Sequence, residues 1–289
     1  MRAIKMVVSV AYLGPQGTYS ETAALAYTHK LAEEQGQKSH LYPYPSIAQT
    51  LQALAQGQTH LAVVPVENSV EGSVSNTLDT MWQLPTLQIQ HSLVLPISHA
   101  LISCAKSLAT IRTVYSHPQA LAQCQGWLER SLRAVELVPT NATTEALQYL
   151  EDQMTTAAIA SPRAAQLYNL PILACPINDY PENSTRFWVL GLESAKSGNQ
   201  TSLAFSVPAN IPGALVKPLF CFASRGINLS RIVSRPTKRS LGEYLFFVDL
   251  EADAREDNVQ SALDELATCT ETLKIFGSYT MNCDRVSVY

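Results

Sequence analysis

Charge is scarce in this 289-residue chain: 15% of the residues are Asp, Glu, Lys or Arg, and the net charge is −4. That balance excludes a nucleic-acid binder, which needs a basic face, and an apolar content of 46% excludes a disordered tail. Cysteine is sparse as well. Cys104, Cys124, Cys175, Cys221, Cys269 and Cys283 are scattered, with no Cys-x-x-Cys or Cys/His metal spacing. Free thiols in a reducing compartment are therefore expected, and no metal site is. Long apolar runs are missing. The run from Met6 to Leu13 is too short to span a membrane, lacks a small-residue cleavage site and meets a Gly-Pro turn, so it reads as a first strand of a cytoplasmic protein without a membrane partner. The Asn-x-Ser/Thr sequons at Asn141, Asn183, Asn199 and Asn228 are then chance matches.

What is present is an alternation of strand and helix patterns, the mark of an α/β layer fold with room for two or three cores. A strand from Val7 to Leu13 leads through Gly14-Pro15-Gln16-Gly17 into a capping box, Thr18-x-x-Glu21, and a helix. Ile47, Leu51 and Leu54 mark a second helix, and Leu61 to Val66 a buried strand. The alternation resumes beyond Gln88, giving two lobes: one of residues 1–88 plus 179–192, the other of residues 89–178. Residues 193–200 contain no large apolar side chain and read as a linker. Residues 201–280 follow a βαββαβ order, which is ferredoxin-like.

Chemistry concentrates in a few loops. Asn183-Ser184-Thr185-Arg186-Phe187 sets a hydroxyl, a fixed cation and an aromatic ring side by side, although a strand start with a surface Arg accounts better for those five residues taken alone. If the strand begins there, Thr185 and Phe187 face one way and Arg186 the other unless the loop twists. Gly14 to Thr18 places amides at a helix N-terminus, where an anion is favoured, but no Lys-Ser/Thr follows Gly17 and a Walker loop is excluded. Glu67 and Asn68 end a buried strand in front of a polar loop. Ser116 and His117 are adjacent in an extended segment and cannot face each other as a catalytic pair, so Ser116 and Gln123 are better read as neutral hydrogen-bond donors.

Four blocks in order resemble the prephenate dehydratase family: Tyr12 to Ser20, Val64 to Ser69, Val114 to Gln119 and Ser184 to Phe187. The C-terminal module resembles an ACT domain, with Gly213, Ala214, Leu215 and Val216 in one effector-binding segment and Ser234, Arg235 and Pro236 in the other. Val233 stands where that family commonly has a Glu. The likeness is to the monofunctional form. It implies a two-lobed, periplasmic-binding-protein-like catalytic domain with the active site in its cleft, converting prephenate to phenylpyruvate under control of an aromatic amino acid, phenylalanine, in a homodimer or homotetramer; aromatisation drives that reaction, so no metal or organic cofactor is expected. Asn68, Ser116, Gln123 and Thr185 take the catalytic positions by this likeness, with Glu67, Arg186, Phe187 and Thr18 around the substrate. Arg186 is expected on the pyruvyl carboxylate. Arogenate is an alternative substrate, and a sensor that closes on a carboxylate without chemistry is an alternative function.

Overall fold

Ten of the fifteen strands join in one sheet that runs through two structural units of the chain, as a computed structural model describes for residues 7–132, 134–150 and 153–282. The first lobe is built from β1 (Val8–Leu13), α1 (Tyr19–Gln35), β2 (Ser39–Tyr44), α2 (Ile47–Ala55), β3 (Leu61–Asn68), β4 (Gly72–Ser73), α3 (Ser75–Gln83) and β5 (Gln88–Pro96). The second lobe holds β6 (Ala100–Ile102), β7 (Thr113–Ser116), α4 (Pro118–Ala122), α5 (Gln125–Ser131), β8 (Glu136–Pro139), β9 (Thr156–Ala160), α6 (Pro162–Leu167) and β10 (Ile172–Ala174). The chain then returns to the first lobe as β11 (Ser184–Gly191), inserted antiparallel between β3 and β5. Because β5 pairs with β11, it belongs to the first lobe, and the crossing lies beyond Pro96 rather than near Gln88. An apolar strand reads the same whichever sheet it joins, which is why sequence pattern put the boundary too early.

Asn178 pins the two crossing segments together, accepting from the His99 amide at 2.7 Å and donating to the Ile97 carbonyl at 2.8 Å. The capping box forms in a modified way. Thr18 Oγ1 accepts from the Glu21 amide, while the Glu21 carboxylate reaches past Thr18 to the Gly17 amide at 2.9 Å.

The C-terminal module runs β12 (Gln200–Ser206), α7 (Val216–Ala223), β13 (Leu229–Pro236), β14 (Tyr244–Leu250), α8 (Asp257–Cys269) and β15 (Thr272–Asn282). The first part of β15 pairs with β12, and its end, Thr280 to Asn282, pairs parallel with His91 to Leu93 of β5. One apolar core follows the joined sheet, from Leu51, Leu78 and Trp188 of the first lobe to Phe247, Phe276 and Tyr279 of the module. Val233 packs against it, so an apolar side chain at that position suits the junction. Among the described residues no helix is long and apolar enough to cross a membrane, and no cluster of His, Cys, Asp and Glu could hold a metal ion. Cys283 lies outside them.

His91 on β5 is buried, with Lys30 Nζ 3.2 Å from its Nε2 and the Tyr27 ring beside it. Burial, reinforced by the Lys30 charge, lowers its pKa from 6.5 to about 4. The folded state thus favours neutral His91, and the unfolded chain takes up a proton first on acidification. The stability this contributes is complete above pH 6.5 and is lost as pH falls from 6.5 to 4, roughly 3 kcal/mol in all. Melting curves across that window should fall steeply for the wild type and less steeply for His91→Gln.

Candidate active site

A cleft of about 450 Å³ opens between the lobes, with Thr18, Ser20, Asn68, Thr185 and Phe187 on the first-lobe side and His117, Gln123 and Thr143 on the other. Thr185 is the second residue of β11 and pairs with Asn68 at the end of β3. Strand alternation turns Thr185 and Phe187 into the cleft and Arg186 to the opposite face, with a bulge on β3 absorbing the register shift at Phe187.

The direction of every hydrogen bond around Thr185 follows from two backbone amides. Val70 and Glu71 N–H both donate to Asn68 Oδ1 at 3.0 Å, which fixes the Asn68 amide group. Its Nδ2 must then donate, to Thr185 Oγ1 at 2.9 Å and to Asn183 Oδ1 at 2.8 Å. Asn183 in turn donates through Nδ2 to Gln123 Oε1 at 2.9 Å, and Gln123 Nε2 donates to Glu71 at 3.3 Å. With Gln123 Oε1 an acceptor, His99 Nε2, 3.0 Å away, carries the proton. Burial depresses the His99 pKa, partly offset by this bond, so the ring is a neutral donor. Because Thr185 Oγ1 accepts from Asn68, its own proton is left to donate into the cleft.

Asn183 and His99 were not singled out in the sequence as site residues. Asn183 reads there as a turn former, and only its place directly before Ser184-Thr185 hints at more. Nothing in the sequence separates His99 from a packing histidine.

Four of the expected contacts are displaced. Ser116 is fully buried and its Oγ donates to the Ile159 carbonyl at 2.6 Å, so it ties β7 to β9 and offers no proton to a ligand. Thr18 lines the cleft, but its hydroxyl donates to the Pro15 carbonyl at 2.9 Å while capping α1. Arg186 and Glu67 do not face the cleft. Arg186 Nη2 lies 2.6 Å from Asp249 on β14 and 3.1 Å from Glu67, and Arg231 Nε lies 2.7 Å from the same Asp249 oxygen. The expectation that Arg186 clamps a substrate carboxylate is thereby corrected, and Glu67 is turned away with it. Alternation along β11 decides this, since a residue between two cleft-facing neighbours must point to the far face. Burial alone would raise the Asp249 pKa, but the two guanidinium groups overcome it and hold the carboxyl below the ordinary range.

The C-terminal candidates need similar adjustment. Gly213 adopts φ +82°, a left-handed conformation natural to glycine, but α7 opens at Val216, and the Ala214 amide already donates to the Ile211 carbonyl. Leu215 is the N-cap residue without a side-chain cap. On β13, Ser234 and Pro236 are exposed while Arg235 turns to the first lobe. There it makes two 3.0 Å bonds to Asp79 of α3, joined by Lys238 at 2.7 Å. Arg235 thus serves as a cross-link between the units rather than as an open effector contact.

Comparison with known proteins agrees with this architecture. Residues 10–195 match the family model described as prephenate dehydratase, and residues 201–268 match the ACT domain. The bifunctional chorismate mutase/prephenate dehydratase of Aquifex aeolicus is 38% identical over 279 residues, covering 96% of this chain and 75% of its own length. The prephenate dehydratase of Lactococcus lactis strain IL1403 is 35% identical over 282 residues, covering 95% of this chain and 98% of its own. Among solved structures, that of prephenate dehydratase from Arthrobacter aurescens in complex with L-Phe aligns with a TM-score of 0.83 and 33% identity, covering 94% of this chain and 90% of that one. A chain described as GqqA, a novel type of quorum quenching acylase, aligns at 0.79 and 28% identity, covering 95% and 98%. With matches spanning both structural units, the chain belongs to the prephenate dehydratase family, its catalytic domain followed by an ACT domain.

Proposed function

We propose that the protein converts prephenate to phenylpyruvate, carbon dioxide and water, with its ferredoxin-like ACT domain binding an aromatic amino acid, phenylalanine by the family's example. The observation that carries this reading is the Thr185 hydroxyl, held as an acceptor by Asn68 so that its proton points into the cleft. In the reaction the bond between the ring and its carboxylate breaks. The electron pair enters the ring as carbon dioxide departs, and the ring hydroxyl leaves, taking a proton from solvent to become water. Aromatisation supplies the driving force. A Thr hydroxyl is far too weak an acid to hand over its proton fully, so Thr185 stabilises the departing oxygen by a hydrogen bond that strengthens as charge develops.

The placement of Arg186 supports the same reading. A cation held against the ring carboxylate would stabilise the ground state and oppose its loss as a neutral gas. Phe187, buried at the cleft wall, instead offers that carboxylate an apolar surface. An acylase of the kind the GqqA comparison raises would place a hydroxyl or thiol nucleophile within reach of a base. Here His99 donates to Gln123, and His117 Nδ1 accepts from the Gln119 amide, so neither histidine is paired with a nucleophile.

The exposed apolar side chains Ile211, Val216 and Phe220, the latter two 66% and 62% accessible, support a homo-oligomer joined through the ACT domain. A cytoplasmic setting fits the free cysteines at positions 104, 124, 175, 221 and 269.

Parallel incubation with prephenate and arogenate, following phenylpyruvate and phenylalanine, tests the substrate assignment. Phenylpyruvate formed preferentially from prephenate is expected. Preferential formation of phenylalanine from arogenate would transfer the assignment to that substrate.

A further inference from the structure

With Arg186 facing the ACT domain, the cleft has no cation for an anionic substrate: among the described residues that line it, none is Lys or Arg. Two features at the start of α1 take that place. Ser20 lines the cleft and is only 6% accessible, and among the described residues no side-chain hydrogen bond engages its hydroxyl. The little of Ser20 that stays accessible borders the cleft, so its hydroxyl is open to donate to what binds there. Ser20 is also the second residue of a 17-residue helix, where the backbone amide has no intrahelical acceptor and the helix dipole favours negative charge.

We propose that the Ser20 hydroxyl and amide receive the pyruvyl carboxylate of the substrate. This deepens the prephenate reading and rests on it. The neighbouring groups fit the assignment. Thr18 is engaged in the cap, so its hydroxyl competes little for the ligand. Glu21, the nearest carboxylate on α1, is bonded to the Gly17 amide and to Arg163 Nε at 3.0 Å, which neutralises its repulsion. The choice between the two substrate carboxylates follows from the chemistry. A donor site that held the ring carboxylate would resist its loss as carbon dioxide, whereas the pyruvyl carboxylate survives into the product. Holding it at α1 orients the substrate from a point away from the breaking bonds.

The test uses Ser20→Ala and Ser20→Asp in the full chain, with phenylpyruvate as a competitive probe because it retains only the pyruvyl carboxylate. Ser20→Ala should raise the prephenate KM and the phenylpyruvate inhibition constant together, by about 10-fold or more, with kcat changed far less. Ser20→Asp places a like charge on the subsite and should raise both by about 100-fold. If the aspartate variant does not fold, the alanine variant decides. A prephenate KM that rises while phenylpyruvate inhibition stays at the wild-type value would overturn the proposal by placing the other carboxylate there. Unchanged constants for both compounds in Ser20→Ala would overturn it outright, and the wild-type turnover measured alongside shows whether the underlying reaction itself stands.

Discussion

Thr185→Ala and Thr185→Val should lower kcat by about 100- to 1000-fold, the usual cost of removing one preorganised donor from a site of developing charge, while Thr185→Ser keeps most activity. Thr185 is 8% accessible, and valine nearly preserves its shape, so the comparison separates the hydroxyl from packing. Equal losses in all three variants would assign Thr185 a packing role. The hydrogen-bond directions add a sharper expectation for Asn68→Asp. The carboxylate still accepts from the Val70 and Glu71 amides, but it can no longer donate to Thr185 and instead draws the threonine proton toward itself. The donor is then aimed away from the cleft, and kcat should fall by about 100-fold, with a lower melting temperature as well because the bond to Asn183 Oδ1 is lost. Activity within a few-fold of wild type would contradict the inferred proton position.

Asp249→Ala should be the most destabilising single change at the junction of the two units. Asp249 is fully buried and accepts from Arg186 Nη2 at 2.6 Å, Arg231 Nε at 2.7 Å and Ser202 Oγ at 2.6 Å. Removing it leaves two buried guanidinium groups, with only Glu67 across from Arg186 and the Trp188 ring 5.5 Å from Arg231. Breaking a buried ion pair by deleting one partner costs about 3 to 5 kcal/mol, for a domain of this size about 10 °C in melting temperature. Because the group is shielded from solvent, added salt should not change the difference. A melting temperature within about 2 °C of wild type would show that the cluster contributes little. Arg186→Lys reads out the same cluster: it should lower stability, whereas a selective rise in the prephenate KM would return Arg186 to the substrate.

Much of the site was legible because strand chemistry is local. Thr185, Arg186 and Phe187 alternate, and that rule places two of them in the cleft and the third behind it. The cap at Thr18 follows from residues three apart. Partnerships across the fold were not legible. Asn68 meets Thr185 across 117 positions, and Asn183 meets Gln123 across 60, so residue type suggests polarity but not partner. Asp249 carried a signal that could have been used: a lone carboxylate in the run Phe246-Phe247-Val248-Asp249-Leu250 is too apolar in context to stand without a cation. Helices were harder where nothing punctuates them. The segment from Leu121 to Leu128 reads as one helix, yet it breaks between α4 and α5 at Gln123-Cys124, where neither residue is glycine or proline and Gly126 lies inside α5. The break leaves Gln123 at the end of α4, where its side chain meets Asn183 and His99.

The most direct measurement follows carbon dioxide and phenylpyruvate from prephenate labelled in its ring carboxylate, with purified wild type beside Thr185→Ala. The account predicts labelled gas and phenylpyruvate in equal amounts from the wild type, with both rates reduced together in the variant. Saturable binding of prephenate without release of either product would contradict it and leave a two-lobed carboxylate sensor in its place.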